Sequence, residues 1–172
     1  MKKIAILLTL AATVAVVFGA QGQRRAQRRA DEATAAWKYE IEYARTGGNN
    51  MLLVKVWSYA EKPEIATSQA TKNAVHGVLF KGYTSSGAGT ISQRPLVQEP
   101  DAATRHQAFF DEFFGEGGDY MKYVSATVDG STSVVKVGKK EYKAGVVVTV
   151  NKDLLRSDLE AAGIIRGLGS GF

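Results

Sequence analysis

Residues 37–59 read WKYEIEYARTGGNNMLLVKVWSY. In the first part, Trp37, Tyr39, Ile41 and Tyr43 alternate with Lys38, Glu40, Glu42 and Ala44. Successive side chains on a strand point to opposite faces, so this period of two predicts a β-strand with one aromatic face. GGNN at 47–50 is a run of turn formers, and MLLVKVWSY at 51–59 is a second strand, apolar on both sides apart from Lys55 and Ser58. Two such runs joined by a four-residue loop predict an antiparallel hairpin.

The rest of the chain extends this beginning. Pro63 suits the first position of a helix that runs to about Phe80, and Gly82 is placed to stop it. Residues 83–100, YTSSGAGTISQRPLVQEP, form a long irregular stretch with room for a short edge strand over 90–97. A helix over 101–114 follows and ends at GEGG, 115–118. DYMKYVSATV, 119–128, leads into Asp129-Gly130, a strong two-residue hairpin signal, and STSVVKV, 131–137, is the returning strand. GKKE at 138–141 turns into the strand YKAGVVVTV, 142–150. Asn151 is placed to cap a last helix and Gly163 to terminate it. Strands joined by short turns, with helices interspersed, predict an α+β fold. The expected architecture is a mostly antiparallel sheet of about five strands, with two to three helices packed on one face.

The N-terminus, MKKIAILLTLAATVAVVFGAQGQ, has the layout of a secretory signal peptide. Lys2 and Lys3 precede an apolar run from Ile4 to Phe18, shorter than the ~20 residues of a membrane-spanning helix. Ala20 and Gly22 suit the small subsites for cleavage after Gly22. The expected organisation is a signal peptide at 1–22, a basic arm at 23–36, one α+β domain at 37–165 and a glycine-rich tail at 166–172. No stretch after residue 23 is long and apolar enough to span a bilayer as a helix.

The chain has no cysteine, which suits an oxidising compartment and excludes thiolate chemistry and disulfides. The formal charge of +5 is concentrated at one end. Lys2, Lys3, Arg24, Arg25, Arg28 and Arg29 all precede Asp31, leaving 16 Lys and Arg against all 17 Asp and Glu. The overall basicity is therefore no signal for nucleic acid, and none is expected as a partner. The arginines of the arm are candidates for contact with an acidic surface or partner.

RHQAFFDEFF, residues 105–114, holds four of the chain's seven phenylalanines. On one continuous helix Phe109, Phe110, Phe113 and Phe114 share a face, His106 falls inside it, and Asp111 and Glu112 lie opposite. This face reads first as core, second as a docking surface through Phe109 and Phe113, and third as a pocket around His106. His106 lacks an orienting acid and nucleophile in any recognised arrangement, so no catalytic residue is assigned. His76 and His106, the two histidines, have no metal-site spacing, and no metal or cofactor is expected. GYTSSGAGT, 82–90, has Ala88 where a phosphate-binding loop needs lysine.

The expected function is that of an exported, non-enzymatic protein of the bacterial cell envelope, in the periplasm or secreted, that binds another envelope protein. The candidate contacts are Arg24, Arg25, Arg28, Arg29, Phe109 and Phe113. The alternative is a small-molecule or glycan binder using Trp37, Tyr39, Tyr43, Trp57 and His106, since aromatic rings suit sugar faces. A hydrolase built on His106 is a third reading.

Overall fold

The computed structural model describes residues 24–167 except 26, 33, 35, 37, 48–50, 84–91 and 127–131. The expected signal peptide, Trp37, the Asp129-Gly130 turn and tail residues 168–172 lie outside the described residues.

The alternating pattern becomes a sheet with two unlike faces. β1 (Glu40–Thr46) pairs antiparallel with β2 (Leu52–Ala60), closing the expected hairpin, and a register shift between Tyr43 and Arg45 leaves Ala44 in a bulge. β2 pairs along its whole length with β5 (Glu141–Val150), from Leu52 opposite Val150 to Ala60 opposite Tyr142. Leu52, Val54, Val56, Ser58 and Ala60 are buried on one face, together with Ala144, Val146, Val148 and Val150 across from them. Lys55, Trp57, Tyr59, Lys143 and Val147 occupy the other face and are only half-buried.

The far edge of β5 is shared between two strands. β3 (Val124–Ala126) pairs with its C-terminal end, and β4 (Ser133–Gly138) with its N-terminal half. This corrects the hairpin expected around Asp129-Gly130, because β3 and β4 each pair with β5 and not with each other. Both run antiparallel to β5 and therefore in the same direction as each other. A two-stranded ribbon is marginal in water, whereas the long edge of β5, buried on one face, offers a complete ladder. The hairpin joining β4 to β5 through Lys139 and Lys140 is as expected.

α1 (Pro63–His76) crosses the buried face above β2 and β5. Its contact side is Ile65, Ala66, Ala70, Ala74 and Val75, and the small alanines let helix and sheet approach closely. The helix widens into a π-turn over Gly77–Lys81, closed by the Gly82 N–H donating to the Gly77 carbonyl at 2.7 Å. The Val78 and Leu79 carbonyls accept from the Leu96 and Val97 N–H groups at 3.1 and 2.9 Å. The long 83–100 stretch is thereby tied to the core at its far end. Among the described residues, the edge strand expected within it is reduced to a bridge between Tyr83 and Gln93.

The helix expected over 101–114 is two short ones, α2 (Ala102–Arg105) and α3 (Gln107–Phe113), separated at His106. Phe110 and Phe113 are buried in the main core, with Phe109 and Phe114 half-buried against it and Asp111 and Glu112 exposed. A 3₁₀ turn, Asp119–Tyr123, leads into β3. α4 (Lys152–Ala161) is capped as expected: Asn151 Oδ1 accepts from the Leu154 N–H at 3.1 Å, and Gly163 ends the helix at φ 69°. Leu155 and Leu159 join the same core. One face of the sheet therefore carries the helices.

The arginine-rich arm packs against the domain through Ala30 and Thr34 while its arginines stay exposed. Residues 24–25, 27–32 and 34 are helical, and Ala30 is 2% exposed among Ala60, Ile65, Ala66 and Ala144. A buried polar relay secures it. Asn73 donates to Ser58 Oγ at 2.7 Å and accepts from Thr34 through its Oδ1; Gln69 donates to Thr34 Oγ1 at 2.8 Å. Gln27 donates to Gln69 at 2.9 Å, and Lys72 pairs with Asp31 at 2.7 Å. The arm lacks large apolar side chains, but a small residue suffices against an alanine-lined surface when buried polar groups are satisfied.

Gly82 sits at φ 63° and ψ −169°, a region essentially reserved for glycine, and a Cβ there would lie 2.3 Å from the Gln93 carbonyl oxygen. Gly163 has a similar φ of 69° but open space around its Cβ position. In urea titrations Gly82→Ala is expected to cost about 2–4 kcal/mol, and Gly163→Ala only about 1 kcal/mol. Equal costs would show that the packing of the 83–100 stretch against Gly82 contributes nothing.

Candidate functional site

The second face of the sheet is the candidate site, because none of the described helices buries its side chains there. Its centre is Trp57, which faces Gly145 across the strands. A Cβ at Gly145 would fall 2.4 Å from the indole Cζ3, so the ring lies directly on the glycine backbone. The Trp57 Nε1–H donates to Glu42 Oε1 at 3.0 Å. The Lys55 and Lys143 Nζ atoms lie 4.3 and 5.0 Å from the ring centroid. Both ammonium groups are within reach of the negative face of the ring's π system.

The neighbouring groups are linked to one another. Lys143 Nζ lies 3.0 Å from both Glu40 carboxylate oxygens, and Tyr59 donates to Glu40 Oε1 at 2.7 Å. The Tyr59 hydroxyl bond, then Lys143, hold the Glu40 carboxyl below its ordinary value. Tyr59 and then Glu40 raise the Lys143 ammonium. The arrangement is a flat aromatic centre within a balanced frame of Glu40, Glu42, Lys55 and Lys143.

β4 continues this face to the sheet edge. Val134, Val135 and Val137 are 45%, 54% and 47% exposed, high for valines in a strand. Val135 stands opposite Lys143, on the Trp57 side.

The aromatic residues singled out in the sequence do not converge. Tyr39 is buried on the helix side, and Tyr43 is half-buried there, stacked on Tyr83 with centroids 6.1 Å apart. Among the described members of that set, Trp57 alone lies on the open face; Trp37 is outside the described residues. Arg24, Arg25, Arg28 and Arg29 are exposed on the N-terminal helix, with Arg29 paired to Glu61. Phe113 is 4% exposed and Phe109 packs beside it, so these two rings belong to the core and offer little docking surface.

The histidine among the phenylalanines is His76, not His106. The His76 ring lies 4.9 Å from Phe80 and 5.5 Å from Phe114, and its Nδ1 is 2.7 Å from the Tyr39 hydroxyl oxygen. It borders a cleft of about 1090 Å³ with Arg24, Arg28, Lys72, Phe114 and Tyr120. Burial, and then Lys72 and Lys81, push the imidazole down to about 4, while burial raises the Tyr39 hydroxyl. His106 sits half-buried at the break between α2 and α3. The break removes the helical register that placed His106 on the phenylalanine face. The spacing of His76 and Phe80, four apart on a helix, was the available signal for the true neighbour.

Among the described residues no group of three or more His, Asp or Glu is placed to hold a metal, and no helix is long and apolar enough to cross a membrane. No protein-family model, curated protein or solved structure matches the chain.

Two measurements probe these surroundings. The His76 imidazole titrates near 6.5 when unfolded and near 4 when folded, so the unfolded chain binds more protons between those values. Stability is therefore complete above about 6.5 and is lost as pH falls towards about 4. The expected loss between about pH 7 and about pH 5 is roughly 1–2 kcal/mol by urea titration, and His76→Gln should flatten it. Separately, Gly145→Val should displace the indole, red-shift Trp57 emission in a Trp37→Phe background and destabilise by about 1–3 kcal/mol. An unshifted spectrum would mean that the ring does not rest on Gly145.

Proposed function

We propose that the protein is an exported, non-enzymatic accessory factor of the bacterial cell envelope that binds another envelope protein through the open face of its sheet. The observation that carries this reading is the surface, bare of described helices, that runs from Trp57 and Tyr59 to the exposed Val135 of β4. Apolar and aromatic side chains left in water at the centre of a polar frame match the anatomy of a protein interface. The signal-like N-terminus and the absence of cysteine support the envelope as its location. The exposed arginines of the N-terminal helix supply a second, electrostatic contact with an acidic surface.

The glycan reading retains one feature, the flat indole of Trp57. Lys55 and Lys143 crowd that ring, with Nζ atoms 4.3 and 5.0 Å from its centroid. A protein partner can instead answer those ammonium groups with carboxylates at the rim.

The test is photo-crosslinking in cells, with the crosslinking residue placed at Glu42 on the open face or at Leu154 on the exposed side of α4. One envelope protein joined in stoichiometric amount from Glu42 and not from Leu154, and lost on Trp57→Ala, is the expected result. A monomer that captures nothing from Glu42 would sink the reading. Trp57 emission that responds to an oligosaccharide panel, in the Trp37→Phe background, would favour the glycan alternative.

A further inference from the structure

The two edges of the sheet are unlike. β1 is interrupted by its bulge and carries Glu40, Glu42 and Arg45 as exposed side chains. Bulges and charges of both signs are the ordinary means of closing an edge to foreign strands. β4 keeps a regular ladder with β5 from Ser133 to Lys136, shifting register only before Gly138. Its five residues Ser133 to Val137 are all exposed, and among the described strands nothing pairs with its outer side. An edge strand presents unpaired N–H and C=O groups on that side, which an incoming extended chain can satisfy.

The charge of this edge is of one sign. From Ser133 to Lys140 the sequence SVVKVGKK contains Lys136, Lys139 and Lys140 and no acidic residue. Among the described residues none of these three lysines has an ion-pair partner; Lys136 lies 5.9 Å from the Tyr142 ring centroid. Lys143, by contrast, is neutralised by Glu40.

From these observations, and resting on the protein-binding reading above, we infer that β4 is a strand-addition site for an extended segment of a partner protein that alternates apolar and acidic side chains. The backbone ladder supplies adhesion, the exposed valines supply apolar contact, and Lys136, Lys139 and Lys140 select carboxylates. A second copy of the chain is the poorer occupant. It would bring the same SVVKVGKK edge, doubling the ammonium groups to six with only the Glu141 carboxylate of each hairpin beside them. Lysine on an edge strand guards against self-pairing, and the same ammonium groups then set the charge that a partner must carry.

The test uses the purified protein and three labelled probe peptides: a valine–glutamate alternating peptide, its valine–lysine counterpart, and the glutamate peptide interrupted by proline. Fluorescence anisotropy reads binding, and sedimentation reads the oligomeric state. The expected result is saturable binding of the glutamate peptide alone, weakened about tenfold or more by the triple change Lys136→Glu, Lys139→Glu and Lys140→Glu. That triple variant should acquire affinity for the lysine peptide while keeping its melting temperature, since all three side chains are exposed. Proline should abolish binding, because it cannot donate to a ladder. Binding that survives proline would reduce the contact to charge and overturn strand addition. No binding of the glutamate peptide, or equal binding of the lysine peptide, would overturn the site. A dimer broken by the triple variant would make a second copy the occupant. Failure here alongside a partner crosslinked from Glu42 would leave the protein-binding reading standing and remove only the edge.

Discussion

The structure depends on the pairing of β2 with β5. Nine consecutive residue pairs, Leu52 with Val150 through Ala60 with Tyr142, run without a shift. Period-two geometry then puts Val54, Val56, Val146 and Val148 on one face, and a slip of one residue would turn all of them into water. Burying a valine fully is worth on the order of 1.5–3 kcal/mol, so the register is strongly specified. The other elements attach to this pair: β1 on its outer side, β3 and β4 on the other edge of β5, and α1 across its buried face.

That arrangement leaves the protein asymmetric. One face holds the helices and a core reaching Phe110, Phe113, Leu155 and Leu159. The other carries no described helix; there the indole of Trp57 rests on Gly145 and Lys143 is tied to Glu40. A sheet covered on one side can remain antiparallel and half-solvated. An open face that displays Trp57 beside the exposed Val135 offers contact chemistry, which is why the proposed function concerns partners.

The buried polar relay from Ser58 through Asn73, Gln69 and Thr34 to Gln27 has a different role. It carries hydrogen bonding from the sheet through α1 into the N-terminal helix, so that none of the described buried side-chain polar atoms is left without a partner. The helix is thereby fixed in place, and its exposed arginines are presented from a defined surface. A buried relay of this kind stabilises only when every member is satisfied.

Much of the architecture was legible in local pattern. The alternation at 37–46, the proline at 63, the cap at Asn151 and the stops at Gly82 and Gly163 act over a few residues, and period, φ preference and capping are local physics. The pairing of β3 and β4 was not legible, because Asp129-Gly130 signals a turn without saying which edge the flanking strands will find, and the ladder offered by β5 decided it. Only tertiary packing could tell that Tyr39 and Tyr43 lie on the covered face and Trp57 on the open one, since alternation marks two faces without saying which the helices cover. The exchange of His106 for His76 has the same cause. A histidine's neighbours come from segments distant in the chain, and a single break at residue 106 cancels a helical-wheel argument made from sequence. By itself, then, the sequence determined the elements and their two-faced character; the tertiary structure decided which face was buried, because burial is a property of what packs against an element and not of the element alone.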